Sequence, residues 1–262
     1  MVCPMDIDRI PAALPGCSAE EWAARCDLAA LYRLLAHFRM TDIIYTHLTA
    51  RVPGSHDHFL INHYGVLFHE MCASDLVKVD CDGHIVEAAE ERRSLRVNAA
   101  GFTIHSAIHL ARPDLACVIH THTADGIAVS AQQQGLLPLS QHALKFYGRL
   151  AYHGYEGIAY NLEERDRLAH DLGPHEAMIL RNHGLLAAGG TIAEAFHNIY
   201  YLERACQSQI KAMAGNAELH LPPPEVCAHT RAQFDRLPPE HYAFFWRSCL
   251  RLIDTPGDDH RR

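Results

Sequence analysis

Two short histidine motifs about sixty residues apart constrain this chain more than any other feature: Val118-Ile119-His120-Thr121-His122 and Arg181-Asn182-His183-Gly184. Side chains two residues apart on a strand point to the same face, so an H-x-H on a strand aims both imidazoles at one point. A third imidazole beside a glycine, just after the apolar run Ala177-Met178-Ile179-Leu180, completes a facial three-histidine set. Three protein ligands leave positions open for water or substrate, the layout of a catalytic ion rather than a closed structural one. With 21 histidines in the chain a bare H-x-H arises readily by chance. Position strengthens it here, because each motif closes a short apolar or β-branched run and is followed by glycine or polar residues.

At 262 residues, 48% of them hydrophobic, the chain is long enough for one α/β domain with a sizeable core. A formal net charge of −8 argues against nucleic acid or an anionic membrane as partner. The nine cysteines are scattered and form no C-x-x-C, which predicts reduced thiols in a cytoplasmic protein. No apolar stretch approaches the roughly 18 residues of a membrane span, and the start of the chain has no signal-peptide layout.

Periodicity predicts a helix over 19–39 capped by Ser18, extended runs at 43–52 and 58–62, and a hairpin built from 76–79 and 84–86 around Asp82-Gly83. A helix over 99–111 leads to a strand over 116–120. Another helix follows around 125–134, with short apolar segments at 136–139 and 148–152. A helix over 162–172 precedes a strand over 177–181, and the longest helical pattern covers 192–214. Beyond Pro222-Pro223-Pro224 the expectation is an irregular tail with one helix near 230–237. The domain plan is therefore an N-terminal extension (1–18), a main domain (19–215) and a helical tail (216–262).

The segment Ala111-Arg112-Pro113-Asp114-Leu115-Ala116-Cys117-Val118-Ile119-His120-Thr121-His122, followed by Leu180-Arg181-Asn182-His183-Gly184-Leu185, resembles the class II aldolase/adducin family. His47-Leu48-Thr49-Ala50-Arg51-Val52-Pro53-Gly54 and Ala73-Ser74-Asp75-Leu76-Val77-Lys78-Val79-Asp80 resemble it too, so the likeness runs in order through roughly residues 20–215. It implies a three-layer α/β fold, a central, mainly antiparallel sheet flanked by helices, and a homotetramer with pockets between subunits. It also implies a divalent ion, Zn2+ or alternatively Fe2+, on His120, His122 and His183.

Departures from the family pattern narrow the function. The sugar-phosphate aldolases carry a metal-binding, proton-transferring glutamate nineteen residues before the first metal histidine, which here is Gly101. Glycine can neither ligate nor move a proton. Their phosphate-binding pairs correspond to Thr46-His47 and Ala99-Ala100, which argues against a phosphorylated substrate. The resemblance places His142 near the position of a catalytic tyrosine, where an imidazole could serve as acid or base. Gly65 falls in a pocket loop, more suited to a turn than to a ligand contact, and Glu70 is a candidate stand-in for the missing carboxylate. His105 and His109 read as packing and surface residues.

The expected function is a metal-dependent C–C bond lyase for a small unphosphorylated carbonyl compound or 2-oxo or hydroxy acid. His142 is its proton-transfer group, and Thr46, His47 and Gly65 line its substrate pocket. The alternatives are an iron-dependent oxygenase that decarboxylates an aryl 2-oxo acid, and a non-catalytic adducin-like scaffold.

Overall fold

The computed structural model of the chain describes residues 13–158, 161–255 and 257–262. The expected N-terminal extension therefore lies largely outside the described residues. Helix α1, Ala19–His37, starts where Ser18 accepts a hydrogen bond from the Glu21 N–H and carries Glu20 and Glu21 in its positive first turn. Its buried Arg25 pairs with Glu21 and Glu87 and donates to the Leu76 carbonyl, tying the helix to the edge of the sheet.

The sheet has seven strands: β1 His47–Arg51, β2 His58–Asn62, β3 Leu76–Asp80, β4 Cys117–Thr121, β5 Leu150–His153, β6 Ala177–Leu180 and β7 Gly184–Gly189. Their order is β3-β2-β1-β4-β7-β6-β5, antiparallel throughout except for the parallel β5–β6 pair. The mainly antiparallel sheet flanked by helices is as expected. After β3 the chain reverses through Gly83 at φ 92°, and the Asp80 carboxylate accepts from the Asp82 and His84 N–H groups. The return limb pairs only through a Val79–Ile85 bridge, so the expected hairpin forms with a single true strand.

Alternation along β4 separates two layers. Cys117 and Ile119 face the main core, with Leu31 of α1 and with Phe196 and Leu202 of the long helix α6 (Ile192–Met213). Val118 faces the opposite side, packed with Ile104 and Ile108 of α2 (Ala99–Ala111) and Leu168 and Leu172 of α5 (Glu164–Leu172). His120 shares the Val118 face by the two-residue period. Two short helices, α3 Ala124–Ser130 and α4 Gln141–Leu144, connect β4 to β5.

Two expectations need correction. Strand β7 has no counterpart among the expected elements, because Leu185-Leu186-Ala187-Ala188 is buried on both faces and shows no alternation. The tail holds two helices instead of one, α7 Pro224–Phe234 and α8 Pro239–Leu250, each with proline at its first turn, where the missing N–H costs nothing. This tail is not peripheral. Trp246, Cys249 and Ile253 belong to the main core, the His260 carbonyl accepts from the Ala73 N–H, and Arg33 pairs with Asp258. Among the described residues no helix is long and apolar enough to cross a membrane.

Candidate metal centre

His120 sits at the centre of the sheet, between β1 and β7, and His122 lies just past the end of β4. His183 comes from the tight turn between β6 and β7, where Asn182 adopts φ 55° and the His183 N–H bonds to the Leu180 carbonyl. Gly184 brings this turn against β4, since a Cβ there would collide with the Thr121 carbonyl oxygen. The three rings meet with His120 Nε2 2.8 Å from His122 Nε2, and His122 Nε2 2.9 Å from His183 Nε2.

The far nitrogens explain why the near ones can ligate. His120 Nδ1 lies 2.9 Å from the Leu185 carbonyl, which can only accept, so Nδ1 carries the hydrogen and Nε2 a lone pair. His122 Nδ1 lies 3.0 Å from the Asp42 carboxylate, with the same consequence. Lone pairs less than 3 Å apart repel one another, and a cation at their centre resolves the repulsion. Zn–N bonds of about 2.0–2.1 Å are compatible with such spacing, so the donor set fits a divalent ion. Burial holds His120 far below the usual imidazole range. His183 is pushed down to about 4 by burial first, then by His122 and His153. Both are therefore in the neutral, ligating form near pH 7.

The centre opens into a cavity of about 640 Å³. Its polar lining includes Thr46, His47, Tyr64, Asn98 and Asn182, and its rim carries the exposed side chains of Tyr45, Tyr155 and Ile158. No lysine or arginine is among the described residues that line it. The loop bearing Asp42 is strained, because Ile43 and Thr46, both β-branched, have φ of 54° and 67°. Left-handed backbone at such residues costs on the order of 1–3 kcal/mol each. At Thr46 it also breaks the strand alternation, so Thr46 and His47, although adjacent, both line the cavity. Burial pushes His47 down to about 3, with the nearby His122 adding to the effect.

The other expected residues fall differently. His142 lies in α4, half-buried with its ring 4.8 Å from that of Tyr201, and does not line the cavity. Gly65 makes a turn at φ 102° and stays outside the lining, although its neighbour Tyr64 enters it. Glu70 is exposed, accepts from the Leu67 N–H and does not reach the centre. The side chains of Ala99 and Ala100 lie outside the described residues. His105 and His109 are fully buried, which corrects the surface part of that expectation, and the Thr49 hydroxyl bridges them at 2.7 and 2.8 Å. Sequence reasoning missed Asp42, which stands eighty positions from its histidine partner with no local signal to mark it.

Residues 26–210 match the model of the Class II Aldolase and Adducin N-terminal domain. Among solved structures, an aldolase II superfamily protein from Pseudomonas syringae superposes with a TM-score of 0.87 at 54% identity, covering 94% of this chain and 97% of that one. L-fuculose 1-phosphate aldolase from Glaciozyma antarctica PI12 superposes with a TM-score of 0.81 at 31% identity, covering 96% of this chain and 97% of that one. Alpha-adducin of Rattus norvegicus is 48% identical over 191 residues, which are 72% of this chain and 26% of the adducin.

Proposed function

The chain belongs to the class II aldolase and adducin family, and on that premise we propose that it is a metal-dependent C–C bond lyase for a small, unphosphorylated carbonyl compound or 2-oxo or hydroxy acid. The observation that carries this reading is the convergence of His120, His122 and His183 at the floor of the cavity, with the His120 and His122 Nδ1 atoms tied to acceptors. A divalent ion there, Zn2+ in this reading, supplies Lewis-acid polarisation of a carbonyl when bound. The chain itself orients the substrate through Thr46, His47 and the asparagines, and presents apolar side chains at the rim.

One solved relative is named for L-fuculose 1-phosphate. Transfer of that substrate is opposed by two features of this chain. Gly101 offers no carboxylate, and no guanidinium or ammonium among the described lining residues is available to a phosphate dianion. The exposed apolar rim also supports a homotetramer with pockets at subunit contacts, the arrangement in which His142 would serve a neighbour's site. Sedimentation showing an active monomer at micromolar concentration would refute that assembly.

A non-catalytic scaffold is the second reading, favoured by the 48% identity to alpha-adducin. Metal analysis of protein purified without added metal separates the two. The lyase reading expects about one ion per chain, most of it lost in His120→Ala without unfolding, and turnover of a 2-oxo or 2-hydroxy acid in a panel that includes fuculose 1-phosphate. Full metal occupancy in the variant would remove the site. Metal-loaded protein inert to the whole panel would favour the scaffold, and oxygen consumption with bound iron would favour an oxygenase. Efficient cleavage of fuculose 1-phosphate would overturn the unphosphorylated substrate class.

A further inference from the structure

His47 is the partner of His120 in the β1–β4 register, so both rings rise from the same face of the sheet, toward α2. Gly101 of α2 meets the ring there. A Cβ on residue 101 would lie no more than 2.5 Å from Nδ1, Cγ and Cε1 of the imidazole. Glycine inside a helix is disfavoured relative to alanine, so its presence at this point is accounted for by the ring that fills the space. The side-chain volume of residue 101 has been handed to a residue on another element.

Among the described residues the same ring has no partner: both nitrogens of His47 are buried without a hydrogen bond, as is the Thr46 hydroxyl beside it. His105 meets the ring edge to face, with centroids 6.2 Å apart, and its own Nδ1 is engaged by Thr49. Buried polar atoms are nearly always paired. All three unpaired atoms belong to residues that line the cavity holding the histidine triad, Thr46 and His47.

We propose that His47, seated in the notch over Gly101, is the hydrogen-bonding partner of the molecule held at the three-histidine centre, entering from β1 where a side chain at residue 101 would otherwise enter from α2. This rests on the metal-centre reading of the triad. A neutral imidazole offers one donor and one acceptor. It therefore suits a small chelating molecule with a carboxylate or hydroxyl oxygen beside those on the ion, and Thr46 is placed to share that contact.

A double-mutant cycle on His47→Ala and Gly101→Ala tests both parts, the interlock in metal-free protein and the ligand role in Co2+-loaded protein with oxalate as probe. Gly101→Ala alone lowers Tm by about 5 °C through overlap with the ring. In the His47→Ala background the same change is neutral or raises Tm, because alanine is the better helix residue. His47→Ala leaves Co2+ content unchanged and weakens oxalate about tenfold, the loss of one hydrogen bond. Gly101→Ala weakens oxalate similarly by displacing the ring, and the double variant binds no worse than His47→Ala. Additive Tm shifts would show that the ring does not fill the notch, and so would failure of both Gly101→Ala proteins to fold while His47→Ala folds. Unchanged oxalate affinity in Co2+-loaded His47→Ala would overturn the ligand role alone. Failure of the unmutated protein to bind Co2+ would remove the centre and the ligand role together, leaving the thermal cycle to report on the interlock.

Discussion

Asp42 shows how one carboxylate can set the state of a ligand. Its contact with His122 Nδ1 keeps the hydrogen on the outer nitrogen and the lone pair on the inner one, while the carboxylate itself stays partly exposed. A partly exposed pair of this kind contributes about 0–1 kcal/mol to stability, so on the metal-centre proposal its main effect falls on ion affinity. Asp42→Ala should therefore lower Zn2+ affinity by roughly 10–100-fold, read by competition with a chromophoric chelator, with Tm nearly unchanged. Unaltered affinity would mean that the ring is held by packing alone. His120 depends instead on a backbone carbonyl of β7, which no side-chain substitution can remove.

Among the elements, α8 departs most from expectation and carries a distinct prediction. Its Trp246 packs edge to face on Phe196 of α6, with centroids 5.9 Å apart, and its indole N–H points to Asp27 of α1 at 3.4 Å. The tail helix therefore joins two helices of the main layer. Trp246→Ala should cost about 3–5 kcal/mol, seen as a lower urea midpoint at unchanged m-value. A change below about 1 kcal/mol would show that the tail is an appendage. The α2–β1 contact belongs to the same scale, because Thr49 of β1 reaches both buried histidines of α2 and fixes the helix beside the centre.

At the scale of the whole molecule, buried histidines make the fold acid-sensitive. Away from the centre, burial holds His109 and His197 at about 3 and His260 at about 4, and keeps His105 well below its ordinary range. These rings are neutral when folded, whereas in the unfolded chain they take up protons near pH 6.5. The stability they contribute is complete above about pH 6.5 and is lost as pH falls toward 3–4. Each ring accounts for about 1.4 kcal/mol per pH unit once pH is well below 6.5, so the four together exhaust a typical margin of stability near pH 5. Tm should fall steeply between pH 6.5 and 5, and a flat profile across that window would contradict the neutral burial of these rings.

Residue order alone dictates whatever is encoded in short spacings. The H-x-H and Arg-Asn-His-Gly motifs, the limits of α2 and β2, and the Ser18 cap depend on residues a few positions apart, where backbone periodicity dictates direction. The convergence of the three histidines was legible for that reason, although its two halves lie some sixty residues apart. Folding in three dimensions is what sets Asp42 against His122, puts His47 in the notch of Gly101, and seals His105 and His109 beneath the sheet. It alone decided the place of β7, whose two-sided burial erases alternation, and of α8, whose opening proline reads as a breaker until the helix begins behind it. Those features arise where distant elements exclude water from a shared volume, and no local pattern along the chain records which elements will meet.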